Sequence, residues 1–284
     1  MNNYIRKIIN RIGALFRGLI KWSYKFYLCD IKASDEAIDV VIPIIPKDLD
    51  IFPLCLDGIR ENVANKIENI YIVGPRNERI INYCNQEKLI FVDENDVLGF
   101  SVKEVNFVTD GGVDRSGWMF QQFLKLSGNI GTCRHFVTID SDHILINKHV
   151  FLTNEDKYVF YRSSEFNLSY YLFNNILLKK NKLPLLSYVA HKMIFDKQEL
   201  EILKSFIEKS TNNKWYNGIL QMIDRKVSSP FSEFELYGTF VNPNKYISVY
   251  WNEKTLLRDE INTLDNLKEK YNKYLSVTFP EYLN

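Results

Sequence analysis

The sequence predicts an α/β fold: a mostly parallel sheet flanked by helices, an α-rich second half and an N-terminal amphipathic helix. Three observations lead there. Between residues 38 and 163, short β-rich apolar runs alternate with helix-like segments. Those runs are nearly continuously apolar, the pattern of strands covered on both faces. Beyond residue 163 helical periodicity dominates. At 284 residues, with 46% hydrophobic and 25% charged side chains, the chain can bury a full core.

The first segment, NYIRKIINRIGALFRGLIKWSYKFYL, sets Ile5, Ile8, Ile9, Ile12, Leu15, Phe16, Leu19, Trp22 and Phe26 on one helical face and basic residues on the other. Charges interrupt it too often for a signal peptide or a membrane span. Its composition is that of a helix lying in an anionic membrane interface, with Trp22 and Tyr27 at headgroup depth. The competing reading docks its apolar face on the body. Residues 1–34 carry seven basic side chains and one acid, so a net charge of +1 leaves the rest of the chain at −5. Residues 1–34 are therefore expected to be a basic amphipathic, membrane-associating unit, and 1–28 its contact with the lipid. Residues 35–284 form one domain that changes character near 163.

Within that domain IDVVIPII (38–45) reads as the first strand. KDLDIFPLCLDGIRENV follows as a helix, with Asp48 as N-cap. ENIYIVGP (68–75) and KLIFVDEND (88–96) are the next strands. RSGWMFQQFLKLSG is a helix between Ser116 as N-cap and Gly128. RHFVTID is the fourth strand and KYVFYRS (157–163) the fifth. Helices are expected near 166–178, 197–209 and 214–225, then a strand at 246–251 and a charged helical tail at 256–275.

The chemistry concentrates at Asp140-Ser141-Asp142-His143, where the fourth strand ends. Two carboxylates one residue apart repel each other and resist burial, so they need a cation, a protonation shift or open water. Hard oxygen ligands at the carboxyl edge of a parallel sheet suit Mg²⁺ or Mn²⁺ and a phosphate-bearing substrate. The plainer alternative is a surface turn. His191, in VAHKMIF, is either a satisfied structural histidine or a third ligand.

The ordered blocks VVIPII, GWMFQQFLKL, FVTIDSDHIL, HKMIFDKQEL and SEFELYG resemble nucleotide-sugar glycosyltransferases of the GT-A fold, and more narrowly the bacterial enzymes that build capsule or lipopolysaccharide glycans. The resemblance spans roughly residues 38–250. It implies a GT-A-like (Rossmann-like) catalytic domain, with its nucleotide-binding part at about 35–163 and its acceptor part at about 164–284. It makes Asp140 and Asp142 ligands of a metal on a UDP-sugar's diphosphate, gives the edge from Pro43 through Lys47 to Asp48 to the nucleotide, and sets an acid of SEFE against the acceptor, a surface glycan or glycolipid. No further motif names the sugar or the base.

Separate physical roles fit that frame. Arg115 can fork onto phosphate oxygens, or is a solvated loop arginine. Trp118 stacks on a ligand or belongs to the core. Gln121 and Gln122 can bond ligand hydroxyls. Glu233 and Glu235 are the candidate bases; they share a face if extended and stabilise a dipole if helical. The expected protein is a peripheral one on the cytoplasmic side of the cell membrane.

Rival classes find less in the chain. A metal-dependent phosphoryl-transfer hydrolase lacks a P-loop, and hydrolase or dinucleotide signatures are missing. The acidic body argues against nucleic acid. A membrane-tethered carbohydrate-binding or scaffolding protein with a structural cation is the non-enzyme alternative.

Overall fold

The computed structural model describes residues 3–20, 31–180, 185–250 and 253–280. Trp22, Phe26 and Tyr27 lie outside them. In chain order the elements are α1 (Asn3–Ile20), β1 (Ile38–Pro43), α2 (Phe52–Asn62), β2 (Ile67–Gly74), α3 (Glu78–Glu87), β3 (Ile90–Asp93), α4 (Glu94–Leu98), α5 (Val102–Val105) and α6 (Ser116–Ser127). Then come β4 (His135–Ile139), β5 (His143–Leu145), β6 (Tyr158–Arg162), α7 (Leu168–Leu178), β7 (Lys192–Asp196), α8 (Lys197–Thr211), α9 (Trp215–Met222) and α10 (Glu233–Phe240). The last are β8 (Tyr246–Tyr250), β9 (Glu253–Thr255), α11 (Leu264–Lys270) and β10 (Ser276–Thr278).

The central sheet has the order β3-β2-β1-β4-β7. Its first four strands are parallel, and β7 runs antiparallel to β4 in the register Val137↔Ile194. β1, β4 and β7 are buried along their whole length, as strands covered on both faces must be. The order reverses between β1 and β4. At such a reversal two consecutive crossovers leave on opposite faces and open a crevice beyond the strand ends.

Several elements depart from the sequence reading. The fifth strand of the sheet is β7, from HKMIFD; KYVFYRS instead pairs in parallel with β8 in a sheet of two. Both stretches are apolar and β-rich, so local pattern does not say which sheet each joins. Asp48 falls in a 3-10 turn, Pro46–Asp50, and α2 starts only at Phe52, with Pro53 in its first turn. The N-cap of α6 is Arg115 rather than Ser116 and makes no side-chain cap; Asp114 Oδ1, one residue earlier, accepts from Ser116 N at 2.8 Å. Gly128 ends that helix in the left-handed region, φ +69°. The charged tail contains only the short α11, after which β10 pairs antiparallel with β5 and parallel with β9.

Helix α1 lies on the body through α7, and the face it uses is the polar one. Arg6 donates to Ser169 Oγ (2.9 Å) and Asp224 Oδ2 (3.0 Å), and Arg17 to Tyr171 Oη (2.7 Å). Asn10 Oδ1 accepts from Leu168 N. Gly13 makes the approach possible, because a Cβ there would meet the Phe166 ring at 2.4 Å. The alternative in which the apolar face docks is therefore corrected: Ile5, Ile8, Ile12, Leu15, Phe16 and Leu19 face outward, and Ile9 is half-buried.

Asp196 ties the end of β7 to the start of α8. Its carboxylate is fully buried and accepts from Arg134 Nη2 (2.7 Å), Tyr158 Oη (2.8 Å) and Gln198 N (2.8 Å). Burial opposes its ionisation, but His135, Arg134 and Tyr158 hold its pKa far below the usual carboxylate range. A depressed folded pKa contributes stability above the unfolded value of about 4, lost as the pH falls towards the folded one. Asp196→Ala is expected to cost about 2–4 kcal/mol at pH 7. In urea unfolding the gap from wild type should narrow below about pH 4; a gap independent of pH would contradict the assignment.

Candidate functional site

The crevice at the β1/β4 reversal is built by three short pieces of backbone. β1 leaves at Pro43 into the turn that carries Lys47 and Asp48. β2 leaves at Gly74, pressed so closely on β1 that a Cβ there would meet Ile44 O at 2.4 Å. β4 leaves into Asp140-Ser141-Asp142, a turn closed by His143 N donating to Asp140 O (3.0 Å). Two further bonds fix this turn: Asp140 N donates to His191 O (2.9 Å), and Phe279 N, just past β10, donates to Asp142 O (3.1 Å). Ser141 Oγ donates to Asp48 Oδ2 at 3.0 Å, so the two strand exits are joined directly.

Asp140 is paired with two basic side chains. Lys125 Nζ stands 2.7 Å from Oδ1 and His191 Nδ1 2.9 Å from Oδ2. Burial would raise its pKa, but Lys125 and His191 overcome this and hold it well below the ordinary range. Lys125 also reaches Glu233 Oε1 at 2.9 Å, so one buried ammonium bridges two carboxylates from opposite halves of the chain. Burial disfavours that charge, yet Asp140 and Glu233 push its pKa above normal. Asp142 has no such partner among the described residues. Burial and then the charge of Asp140 raise it to about 6.

His191 adopts the left-handed region, φ +56°, which costs a non-glycine residue energy and clusters at functional sites. Burial opposes its protonation, but Glu253, Asp140 and Asp142 raise its pKa to about 9. Its ring stacks on His143 with centroids 5.5 Å apart. Behind lies the fully buried Lys192, whose Nζ is 3.2 Å from His143 Nε2 and 3.5 Å from Ser276 Oγ. Burial pushes the pKa values of both His143 and Lys192 down.

The two glutamates of SEFE part company. The segment begins α10, capped by Ser232, so residues two apart point to different sides. Glu233 faces Lys125, and burial raises its pKa against the pull of that ammonium. Glu235 accepts from Ser187 Oγ (2.7 Å) and Tyr188 N (2.9 Å), pinning α10 to the chain before β7. Along α6, Arg115 donates through Nε to Ser228 O (3.0 Å) and lies 4.9 Å from the Trp118 ring. Trp118 and Gln121 are half-buried, Gln122 is buried and Lys47 is exposed. Arg115 is one end of α6 and Lys125 the other, about 15 Å apart at 1.5 Å per residue.

Asp48, Asp140, Asp142, His191 and Glu233 are thus brought together at the ends of β1 and β4, linked through Ser141 and Lys125, whereas Glu235 and Arg115 are engaged elsewhere. Lys125 and Glu253 are the members that sequence reasoning missed. A lone lysine inside QQFLKLS, among residues that must be buried, was the available signal, because a buried ammonium requires an anionic partner.

A family model described as "Family of unknown function (DUF6492)" matches residues 35–274. The chain belongs to DUF6492. No curated protein matches it in sequence. Among solved structures, the DUF6492 chain is similar to mouse Xyloside xylosyltransferase 1, apo form, at 12% identity and TM-score 0.49 over 87% of this chain and 99% of that one. It is also similar to glucosyl-3-phosphoglycerate synthase from Mycobacterium tuberculosis, in complex with Mn²⁺, UDP and glucosyl-3-phosphoglycerate. There the identity is 14% and the TM-score 0.36, over 64% and 68% of the two chains.

The donor set fits a divalent cation of the substrate-assisted kind. Among the described residues no three His, Cys, Asp or Glu side chains converge into a ready cage. Mg²⁺ sites, however, commonly combine one or two carboxylates with substrate phosphates. Asp140 and Asp142 are the two carboxylates of this kind that could hold one, and a bound cation would relieve their mutual repulsion.

Lys125 is the element to test. Lys125→Met leaves Asp140 and Glu233 without their shared cation and is expected to destabilise the fold by about 3 kcal/mol at pH 7. Buried carboxylates left unpaired have raised pKa values, so the loss should shrink as the pH is lowered towards about 5. Thermal unfolding across that range checks both points.

Proposed function

We propose that this DUF6492 protein is a metal-dependent glycosyltransferase that moves a sugar from a nucleotide-sugar donor, a UDP-sugar, to a growing surface glycan or glycolipid of the capsule or lipopolysaccharide type. The observation that carries the reading is the position of the Asp140-Ser141-Asp142 turn. It sits at the point where strand order reverses, joined to the β1 exit through Ser141 and Asp48, where α/β sheets bind their ligands. The GT-A resemblance of the sequence supports the same reaction class.

In this reading Asp140 and Asp142 hold Mn²⁺ or Mg²⁺ together with the donor's diphosphate. When bound, the cation supplies charge neutralisation for the departing diphosphate. His191 orients Asp140 through its 2.9 Å contact, the role a histidine–carboxylate pair plays beside metal ligands. The exit from Pro43 through Lys47 to Asp48 receives the nucleotide, and Trp118, Gln121 and Gln122 line the sugar side. Glu233 takes the acceptor's proton, and Lys125 keeps it in a fixed relation to Asp140. Glu235 anchors α10.

The reading also assigns the protein to the cytoplasmic face of the cell membrane, held there by α1. No described helix is long and apolar enough to cross a membrane. The outward apolar face of α1 supports peripheral contact instead.

Release of free nucleoside diphosphate from a panel of nucleotide sugars, with Mn²⁺ or Mg²⁺ and after chelation, tests the reading. The expected result is turnover with a UDP-sugar that chelation abolishes. Asp142→Asn should lower it at least about a hundredfold with unfolding unchanged. Glu233→Gln should lower kcat, whereas Glu235→Gln should lower stability first. A folded, metal-loaded protein that turns over no donor would leave a binding protein as the better account.

A further inference from the structure

Helix α1 borders a cavity that the transferase reading does not use. It has a volume of about 730 Å³, within the range of ligand sites. Its walls are the first half of α1 and the chain at 109–113, 167–169 and 226–229. Arg6, Lys7 and Lys226 line it against one carboxylate, Asp110, and its neutral lining includes Asn10 and Asn167. Such a lining suits an anion, and phosphate oxygens in particular.

The same helix says where that anion comes from. Arg6 and Arg17, buried to 8% and 2% exposure, hold one stripe of α1 on the body. The apolar stripe lies roughly opposite at about 100° per residue, with Leu15 at 73% and Leu19 at 78% exposure. Phe166 and Leu185 extend it along the second half of the helix. Lys7 and Arg11 are exposed and lie between the two stripes. A helix pinned by its polar stripe and apolar below sets its flank at headgroup height, and with it the exposed Lys7 of the cavity lining.

We propose that this cavity binds the phosphate head of an anionic lipid whose tail lies against the outward apolar face of α1. The proposal rests on the membrane-contact part of the reading above and gives it a specific ligand.

The test is vesicle co-sedimentation of the full chain, without any nucleotide sugar. One set of vesicles is pure phosphatidylcholine, the other contains about a third phosphatidylglycerol. Wild type should prefer the anionic vesicles, and inorganic pyrophosphate should compete only for the headgroup contribution. Lys7→Glu with Lys226→Glu should cut anionic binding at least about tenfold and remove the preference, with an unchanged unfolding temperature. Lys7→Gln with Lys226→Gln serves if the charge reversals do not fold. Leu15→Ser with Leu19→Ser should weaken binding to both vesicle types. Equal binding of wild type to both vesicles, or an undiminished preference in the lysine variants, overturns the cavity site and leaves membrane contact standing. A chain that binds no vesicle overturns both, while donor turnover decides the transferase separately.

Discussion

A buried ammonium ties the end of β4 to the start of α10, beside the β4–β7 pairing that sets the register of the sheet. Lys125 stands 2.7 Å from Asp140, which belongs to the sheet, and 2.9 Å from Glu233, which belongs to the helical second half. Lys125 and Glu233 are buried, and such charges are tolerable only when paired, because each alone would cost several kcal/mol. The consequence is positional: the strand end and the start of α10 cannot drift apart without stranding a charge. Glu235 reinforces the same junction from the other side of α10, through Ser187 and Tyr188. The crevice thus has walls fixed by electrostatics rather than by apolar contact alone.

The acid turn shows how a fold places unlike chemical environments one residue apart. Asp140 and Asp142 are of the same type, yet one is held ionised by Lys125 and His191 and the other is raised to about 6. The difference comes from neighbours supplied by α6 and β7, elements distant in sequence. A charge arriving from outside meets one carboxylate already compensated and one still demanding compensation.

Much of this was legible beforehand, for reasons that can be named. Buried parallel strands announce themselves as continuous apolar runs, so IDVVIPII and RHFVTID gave β1 and β4, and the acids after RHFVTID gave the crevice edge. Sheet membership was not legible: KYVFYRS and HKMIFD carry the same local signal, and only tertiary pairing separates them. The partners of the acids were missed because ion pairs such as Lys125–Glu233 join residues that no periodicity connects. Helix α1 was recognised as amphipathic, but amphipathicity does not say which stripe meets the body; Gly13 against Phe166, and two buried arginines with acceptors on the body, decided that.

The bond from Phe279 N to Asp142 O, with β10 laid along β5, stitches a late piece of the chain onto the acid turn. During synthesis the sheet, the reversal point and Lys125 can all assemble before that piece leaves the ribosome. The turn itself then waits for its final clasp. The order of the chain therefore lets the sheet close before the acid turn receives its last backbone bond.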